Sequence, residues 1–258
     1  MNIIVCLKQV PDTADIKLDG VTKRLVREGV KSMINPFDMY AIEEALRLKE
    51  KLGGKVTALT MGPPQAETSL REAIALGCDE AILVSDSAFA GADTLATSYT
   101  LSCAIKKIKD YDLIFCGKQT LDGDTAQVGP GIAGHLDIPQ IINVRKIQDI
   151  KEVQVTAQRM TEYGYDVIEA QLPCLLTVVK DINVPRLPSL KGKMKAKSAS
   201  VSVWKVVDIQ ADEASIGAKG SATEVLKIAT PPARPQGKIF EGEGAVDQLV
   251  ETLKGLMK

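Results

Sequence analysis

Short apolar runs alternate with amphipathic stretches along the first part of the chain. The run IIVCL at positions 3–7 is continuously apolar, which is typical of a parallel strand covered on both faces. The stretch that begins at Asn35 predicts a helix, with Asn35 as its cap, Pro36 at its first position and Gly53 at its end. Its predicted inward stripe is Ala41, Ala45, Leu48 and Leu52. Glu43 and Arg47 are expected to pair on the solvent side.

The same rhythm continues to about residue 136. Strands are predicted at 56–61, 81–84 and 112–116, and helices at 65–76, after a capping Asp93, and within 117–136. Short connections between strand and helix favour a parallel sheet with helices on both faces. Asp19 and Gly20 lie between β-favouring residues, which also predicts a hairpin at this position.

After about residue 140 the pattern changes. Residues 141–160 and 163–179 are rich in β-forming residues with no helix between them, which predicts an antiparallel extension of the sheet. Beyond residue 183 the chain is rich in proline and lysine, and only the segment after 244 has a helical pattern. The sequence therefore predicts an α/β domain over 1–183 and an extended arm over 184–258 that ends in a helix.

Composition narrows the classes of function. Thirty-two Lys and Arg residues against 33 Asp and Glu residues leave no net field that would attract nucleic acid. No apolar run reaches the length of a membrane span, and a signal-peptide pattern is missing, so a cytoplasmic protein is expected. The five cysteines form no C-x-x-C pair and are expected to be small buried residues. With a single histidine, His135, the sequence predicts neither a metal site nor a catalytic side chain.

Gly129, Gly131 and Gly134 spell the G-x-G-x-x-G spacing of dinucleotide-binding loops. That motif requires its glycines directly between a strand and a helix, but here the strand ends near Cys116 and Pro130 interrupts the pattern. We therefore reject the dinucleotide motif. Gly131 and Gly134 are expected instead to allow close packing beneath the sheet.

Four predicted loops still favour a nucleotide site. The loops span residues 6–13, 60–65, 85–94 and 117–129, each at the end of a predicted strand. They are rich in small, polar and turn-forming residues. In an open parallel sheet these loops lie at one edge, where ligands bind. The amides of 125–129, at a helix start, are placed to bind phosphate oxygens.

Several longer stretches carry a resemblance to a known family. They include VCLKQVPDT, INPFDMYAIEEALRLKE, FAGADTLATS, GKQTLDGDTAQVGPGIAGHL and LPCLLTVVKDINVPR. In this order, over essentially the whole chain, they resemble the β subunit of electron transfer flavoproteins. VPDT at 10–13, FAGADTLAT at 89–97 and DGDTAQVGP at 122–130 resemble the electron-bifurcating members in particular.

The resemblance implies where a cofactor would bind. It assigns an adenosine pocket around Cys6 and Asp38, the phosphates and ribose along 117–128, and the rest of a flavin near Thr94 and Thr97. The full set of cofactor-binding residues that it implies is Cys6, Lys8, Asn35, Asp38, Met61, Gly62, Asp93, Thr94, Thr97, Gly117, Lys118, Gln119, Asp122, Gly123, Asp124, Thr125, Ala126, Gln127 and Val128.

The resemblance also implies a function. A heterodimer with an α subunit would carry FAD in this chain, accept hydride from NADH, and divide the electrons between ferredoxin or flavodoxin and, through the FAD of the α subunit, a flavin-dependent dehydrogenase of acyl-CoA or lactate type. Leu190 would dock on the dehydrogenase, with Lys191, Lys193, Lys195 and Lys197 either facing an acidic partner or simply solvated. The arm beyond residue 206 would wrap the α subunit.

Two alternatives remain at this stage. An ordinary member of the same family would hold AMP as a structural ligand in the same site. A free-standing nucleotide-binding protein of universal-stress type would need no α subunit, and its sequence would be expected to stop near residue 150.

Overall fold

The computed structural model describes residues 1–12, 32–226 and 236–256, so the predicted hairpin at Asp19–Gly20 lies outside the described residues. The strands are β1 (Asn2–Cys6), β2 (Gln9–Pro11), β3 (Ser32–Ile34), β4 (Lys55–Met61), β5 (Glu80–Val84), β6 (Leu113–Gly117), β7 (Gln140–Ile150), β8 (Gln154–Met160), β9 (Tyr165–Gln171), β10 (Cys174–Val178) and β11 (Ser202–Trp204). The helices are α1 (Pro36–Leu52), α2 (Glu67–Leu76), α3 (Thr94–Ile108), α4 (Val128–Leu136), α5 (Leu190–Ser198), α6 (Val206–Ile209) and α7 (Ala245–Leu256).

Nine of the strands in the described residues form one mixed sheet, in the order β11-β5-β4-β1-β6-β10-β7-β8-β9. Neighbours from β11 to β7 are parallel, and β7, β8 and β9 form an antiparallel extension. The predicted fold class, a mostly parallel α/β sheet with an antiparallel extension, is confirmed.

One strand of the predicted extension lies elsewhere. β10 does not continue the antiparallel run but inserts between β6 and β7, parallel to both, with Cys174 opposite Leu113. Every residue of β10 is buried, because it is covered on both faces, and a strand of this kind, apolar except for Thr177, is typical of a parallel sheet interior.

Helices cover both faces of the sheet, as predicted. Alternate residues of β1 show the division, since Ile3 and Val5 pack with α1 and α2, whereas Ile4 and Cys6 pack with α3 and α4. The five cysteines are buried and unpaired, as expected. The stripe of α1 is buried at Ala41, Ala45 and Leu48, but Leu52 in its last turn is exposed, contrary to the prediction.

The glycine prediction for α4 is confirmed at one position and wrong at the other. A Cβ on Gly131 would lie 2.6 Å from Ser98 Oγ, so α3 and α4 approach closely there. Gly134 has no neighbouring heavy atom within 4 Å of such a Cβ. Gly134 faces solvent, which accounts for this difference.

The arm contains more helix than its sequence pattern predicts. α5 and α6 lie within residues expected to be extended, whereas the final helix, α7, is confirmed. Ser189 caps α5 by accepting a hydrogen bond from Gly192 N (3.0 Å), and Ala196 is buried against the body of the protein. Packing of α5 on α2 therefore stabilises a helix that has only a weak apolar stripe of its own.

Candidate nucleotide site

The carboxyl ends of β1, β4, β5 and β6 meet at one edge of the sheet. Their parallel registers place Cys6 opposite both Leu59 and Cys116, and Met61 opposite Val84. The four loops predicted from the sequence therefore leave the sheet at the same edge. This edge is the candidate nucleotide site.

Asp38 fastens two of these strand ends together. It lies in the first turn of α1 and is 5% exposed. Its Oδ2 accepts a hydrogen bond from Lys8 N (2.7 Å), just after β1, and its Oδ1 accepts one from Gly117 N (3.1 Å), at the end of β6. Burial raises the pKa of Asp38 to about 7 although these N–H donors favour the ionised form. The carboxylate thus supports the site from beneath.

Asn35 connects α1 to the longest loop of the site. It was predicted to cap α1, but its side chain makes no cap hydrogen bond. Instead its Nδ2 donates to Gln119 O (2.9 Å) and its Oδ1 accepts from Leu121 N (3.3 Å). Pro36, which has no N–H, occupies the first position of α1 and reduces the need for a cap. The fully buried amide therefore fixes the loop rather than the helix.

The loop between β6 and α4, residues 118–127, is exposed but tied down by polar side chains. Lys8 Nζ pairs with Asp122 (2.7 Å), and Gln119 donates to Asp124. Burial opposes ionisation of Asp122, but hydrogen bonding and the charge of Lys8 outweigh it and lower the pKa of that carboxyl. Both acidic side chains are thereby engaged by groups of the chain itself.

The second half of this loop presents its backbone. Asp124 and Ala126 have positive φ angles of 52° and 54°, a left-handed conformation that non-glycine residues seldom adopt and that is concentrated at functional sites. Among the described residues, no acceptor receives a hydrogen bond from the backbone N–H groups of 125–129. These five N–H groups lead into the N-terminus of α4, where the helix dipole favours an anion.

The start of α3 closes the site on another side. Thr94 Oγ1 donates to Gln127 Oε1 (2.9 Å), which brings the loop after β5 to the loop before α4. Thr97 follows one turn later and is half-buried. Asp93 caps α3 as predicted, through hydrogen bonds from Leu95 N and Ala96 N. Its second carboxylate oxygen accepts hydrogen bonds from Ala222 and Thr223, a contact that the sequence did not reveal.

The other predicted residues take different places. Met61 and Gly62 lie half-buried at the end of β4, and Gly62 N donates to Val84 O (3.1 Å). Cys6 is almost fully buried beside Cys116, and a hydrogen bond between the two thiols, with burial, raises the pKa of Cys116. Leu190, predicted to dock on a dehydrogenase, lies apart from these loops as the first residue of α5 and is 77% exposed.

A family model described as the electron transfer flavoprotein domain matches residues 22–209 of the chain. The electron transfer flavoprotein subunit beta of Thermoanaerobacterium thermosaccharolyticum is 52% identical over 256 residues, which cover 98% of each chain. This chain belongs to the electron transfer flavoprotein β-subunit family. The chain is also 50% identical over 242 residues to protein FixA of Azotobacter vinelandii (91% of this chain, 85% of the relative). It is 46% identical over 259 residues to caffeyl-CoA reductase-Etf complex subunit CarD of Acetobacterium woodii (100% and 98%).

Membership of the electron transfer flavoprotein β-subunit family confirms the resemblance and settles one alternative. The family is associated with flavin and implies an α subunit as partner. The match extends through the arm, so the universal-stress-type alternative, which was expected to end near residue 150, is set aside. In the described part of the chain, no helix combines the length and apolar character needed to cross a membrane.

Proposed function

We propose that the candidate nucleotide site binds FAD, with the pyrophosphate on the backbone N–H groups of 125–129. The observation that carries this proposal is the row of unpaired donors at the start of α4, because phosphate oxygens satisfy such groups without a lysine clamp. Nearby, the charge of Asp122 is balanced by Lys8, and Gln119 holds the side chain of Asp124.

The donors and the space around them fit a nucleotide. Gly123 has only Thr120 Oγ1, at 3.4 Å, near the position of a Cβ, so the loop is open above it. Thr97 on α3 would donate a hydrogen bond to the remaining part of the flavin, and the hydroxyl oxygen of Thr94, whose hydrogen is engaged by Gln127, would accept one. Asn35 and Asp38 hold the loop and the strand ends in position, and the buried Cys6 would lie at the floor of the adenosine pocket.

FAD would supply the redox chemistry, taking a hydride from NADH and passing one electron to ferredoxin or flavodoxin and the other, through the FAD of the α subunit, to a dehydrogenase. The chain itself binds and orients the cofactor. We propose that Leu190 and the lysines of α5 contact the dehydrogenase, of acyl-CoA or lactate type, and that the arm beyond residue 206 contacts the α subunit. A cytoplasmic location agrees with these partners.

AMP is the alternative ligand, because its single phosphate would use the same backbone donors. The flavin content of the purified heterodimer distinguishes the two. We expect two FAD molecules per heterodimer, measured by absorbance after denaturation, and bleaching of both on addition of NADH. One FAD together with one AMP would contradict electron bifurcation by this chain.

The position of the site is tested by Gly123→Arg. The arginine side chain would fill the open space above the loop, so we expect the heterodimer to lose one of its two FAD molecules and to bind FAD at this site at least 100-fold more weakly, about 2.7 kcal/mol. Gly134→Arg is the matched control, since Gly134 lies in α4 with no heavy atom within 4 Å of its Cβ position. Full flavin content in Gly123→Arg would place the site elsewhere.

A further inference from the structure

Residues 212–223, which begin the outer part of the arm, lie against the loop after β5. Ile216 of this segment is buried in the same core as Phe89 of the loop. Ala218 N donates to Ala90 O (3.0 Å), and Asp212 N donates to the hydroxyl of Tyr99 on α3 (3.0 Å). The loop predicted to contact the flavin is thus covered by residues 212–223 of the arm.

Gly217 permits this close approach. Its φ is +57°, and a Cβ at this position would lie 2.0 Å from Ala88 O. An alanine here would therefore be strained and would also force the arm away from the loop. The contact depends on a glycine in the segment and not only on side-chain hydrogen bonds.

The two carboxylate oxygens of Asp93 accept hydrogen bonds from two different parts of the chain. Oδ1 accepts from Leu95 N (2.9 Å) and Ala96 N (3.0 Å), which caps α3. Oδ2 accepts from Ala222 N (2.9 Å), Thr223 N (3.0 Å) and Thr223 Oγ1 (3.0 Å). The backbone of Asp93 also donates to Ser221 Oγ (2.8 Å). We call the contacts of Asp93 with residues 221–223 the Asp93 latch.

The Asp93 latch joins two regions with different expected partners. On one side is Thr94, which reaches the phosphate-binding loop through Gln127. On the other side is the arm, whose exposed Val225 and Leu226 follow directly. Both carboxylate oxygens are already satisfied by N–H and O–H donors of the chain, and a carboxylate placed beside a phosphate would repel it. Asp93 therefore suits a role in holding the loop better than a role in touching the nucleotide.

We propose that Asp93 is a positioning residue that locks residues 221–223 of the arm to the flavin-binding loop, so that FAD binding at this site and binding of the arm to the α subunit are energetically coupled. This inference rests on the proposed function. Ordering of the arm on the α subunit orders the loop through the Asp93 latch, and the coupling is reciprocal. FAD bound at this site therefore slows dissociation of the α subunit.

Three variants open the Asp93 latch, one on the side of the loop and two on the side of the arm. Asp93→Asn keeps a side-chain oxygen for the cap of α3, where Asn is as effective as Asp, but turns an N–H₂ group towards the donors of Ala222 and Thr223. Ser221→Ala with Thr223→Val leaves Asp93 and its cap intact while removing two of the bonds from the arm. Gly217→Ala displaces the segment without altering either partner of the latch.

The experiment measures the rate at which the α subunit exchanges out of the heterodimer, with the site loaded with FAD and after removal of that FAD. In the unmodified heterodimer we expect FAD to slow exchange by about tenfold, within the range of coupling energies between sites. In Asp93→Asn, in the double variant and in Gly217→Ala, we expect this ratio to fall close to one. Hydrogen exchange at the amides of 218 and 222–223 reports whether the latch has opened.

The controls separate this inference from the proposed function. Ser189→Ala removes a helix cap in α5, away from the latch, and should leave the tenfold ratio unchanged. Combining Asp93→Asn with the double variant should add no further effect, because each opens the same contact. If the amides open but the ratio persists, the coupling is wrong. If the unmodified heterodimer holds no FAD at this site, the proposed function itself has failed.

Discussion

The body of the molecule, residues 1–183, and the arm, residues 184–256 in the described ranges, treat their apolar side chains differently. In the body the central strands β1, β6 and β10 are almost wholly buried between helices. Among the described residues of the arm, most large apolar side chains are exposed: Val184, Leu187, Leu190, Met194, Val203, Val207, Val225, Leu226, Ile239, Val246, Leu249, Val250, Leu253 and Leu256.

The two regions therefore depend on different sources of stability. The body buries a continuous core of its own, whereas the exposed apolar residues of the arm are typical of a surface that another protein covers. Body and arm meet through apolar contacts, at α5 and at the buried Ile209 and Ile216, and through polar contacts at Arg186 and at the Asp93 latch. The nucleotide site belongs to the body, but one of its loops is held by the arm.

Removing the apolar face of α7 should have the largest effect on the contact between the arm and its partner. Val246, Leu249, Val250, Leu253 and Leu256 form one stripe of this amphipathic helix, and none is buried in this chain. If α7 packs on the α subunit, Leu249→Asp with Leu253→Asp should weaken heterodimer formation at least 100-fold, because charge would enter an apolar contact. Analytical ultracentrifugation of the mixed subunits measures this affinity.

A matched variant tests the face rather than the charge. Gln248→Asp with Gly255→Asp adds the same charge to the opposite side of α7 and should leave the affinity within about threefold. Equal weakening by both variants would show that the stripe does not define the interface.

Within the body, the ionisation of Asp38 makes the free energy of unfolding depend on pH. Its pKa is about 7 in the folded chain against 3.8 for an ordinary aspartate, so the folded state holds the proton more tightly. The contribution of Asp38 to the free energy of unfolding should then be largest below about pH 4. It should fall by roughly 4 kcal/mol as the pH rises to 7 and above. Asp38→Asn should remove this decline.

The measurement is chemical denaturation of the heterodimer at several pH values between 5 and 8, with the variant compared with the unmodified protein at each pH. Asp137→Asn, at the exposed end of α4, is the control and should keep the unmodified profile. A profile for Asp38→Asn that runs parallel to that of the unmodified protein would mean that Asp38 does not titrate in this range.

The sequence predicted the body better than the arm, for a physical reason. A strand covered on both faces is largely apolar, and the helices that cover it carry an apolar stripe, so burial leaves a readable pattern in IIVCL or in α1. The position of β10 could not be predicted, because a strand that is apolar except for Thr177 fits any place in the sheet interior. In α5, contact with α2 stabilises the helix, and the segment itself has little pattern.

The candidate site shows the same division. That four loops share one edge follows from parallel strands alone, and this edge was predicted. The roles of individual side chains could not be predicted from the sequence. Asn35 was expected to cap α1 but holds Gln119, and the partners of Asp93 lie about 130 positions away in the chain. A small-residue segment such as ASIGAKGSAT is compatible with close packing but does not reveal its partner.

The contact between body and arm at Arg186 gives the smallest of the expected effects. Glu43 and Arg47 do pair (2.8 Å), but Glu43 was expected on the solvent side and is instead buried, because Arg186 covers it. Arg186 Nε lies 2.7 Å from Glu43 Oε2, and Arg186 also pairs with Glu50. Burial opposes ionisation of Glu43, yet the hydrogen bonds from Arg186 and Arg47 outweigh it and lower the pKa of this carboxyl.

Arg186→Ala leaves the buried carboxylate of Glu43 with Arg47 as its charged partner and keeps the hydrogen bond from the backbone N–H of residue 186, so we expect the free energy of unfolding to fall by about 2 kcal/mol. Arg159→Ala is the matched control, since Arg159 pairs with Asp166 at 2.6 Å on an exposed hairpin, and it should cost at most about 0.5 kcal/mol. Adding Glu43→Gln to Arg186→Ala should recover part of the loss, because it removes the unpaired charge. Equal losses in the two single variants would mean that water reaches Glu43, and that the arm is not fastened to α1 by a buried ion pair.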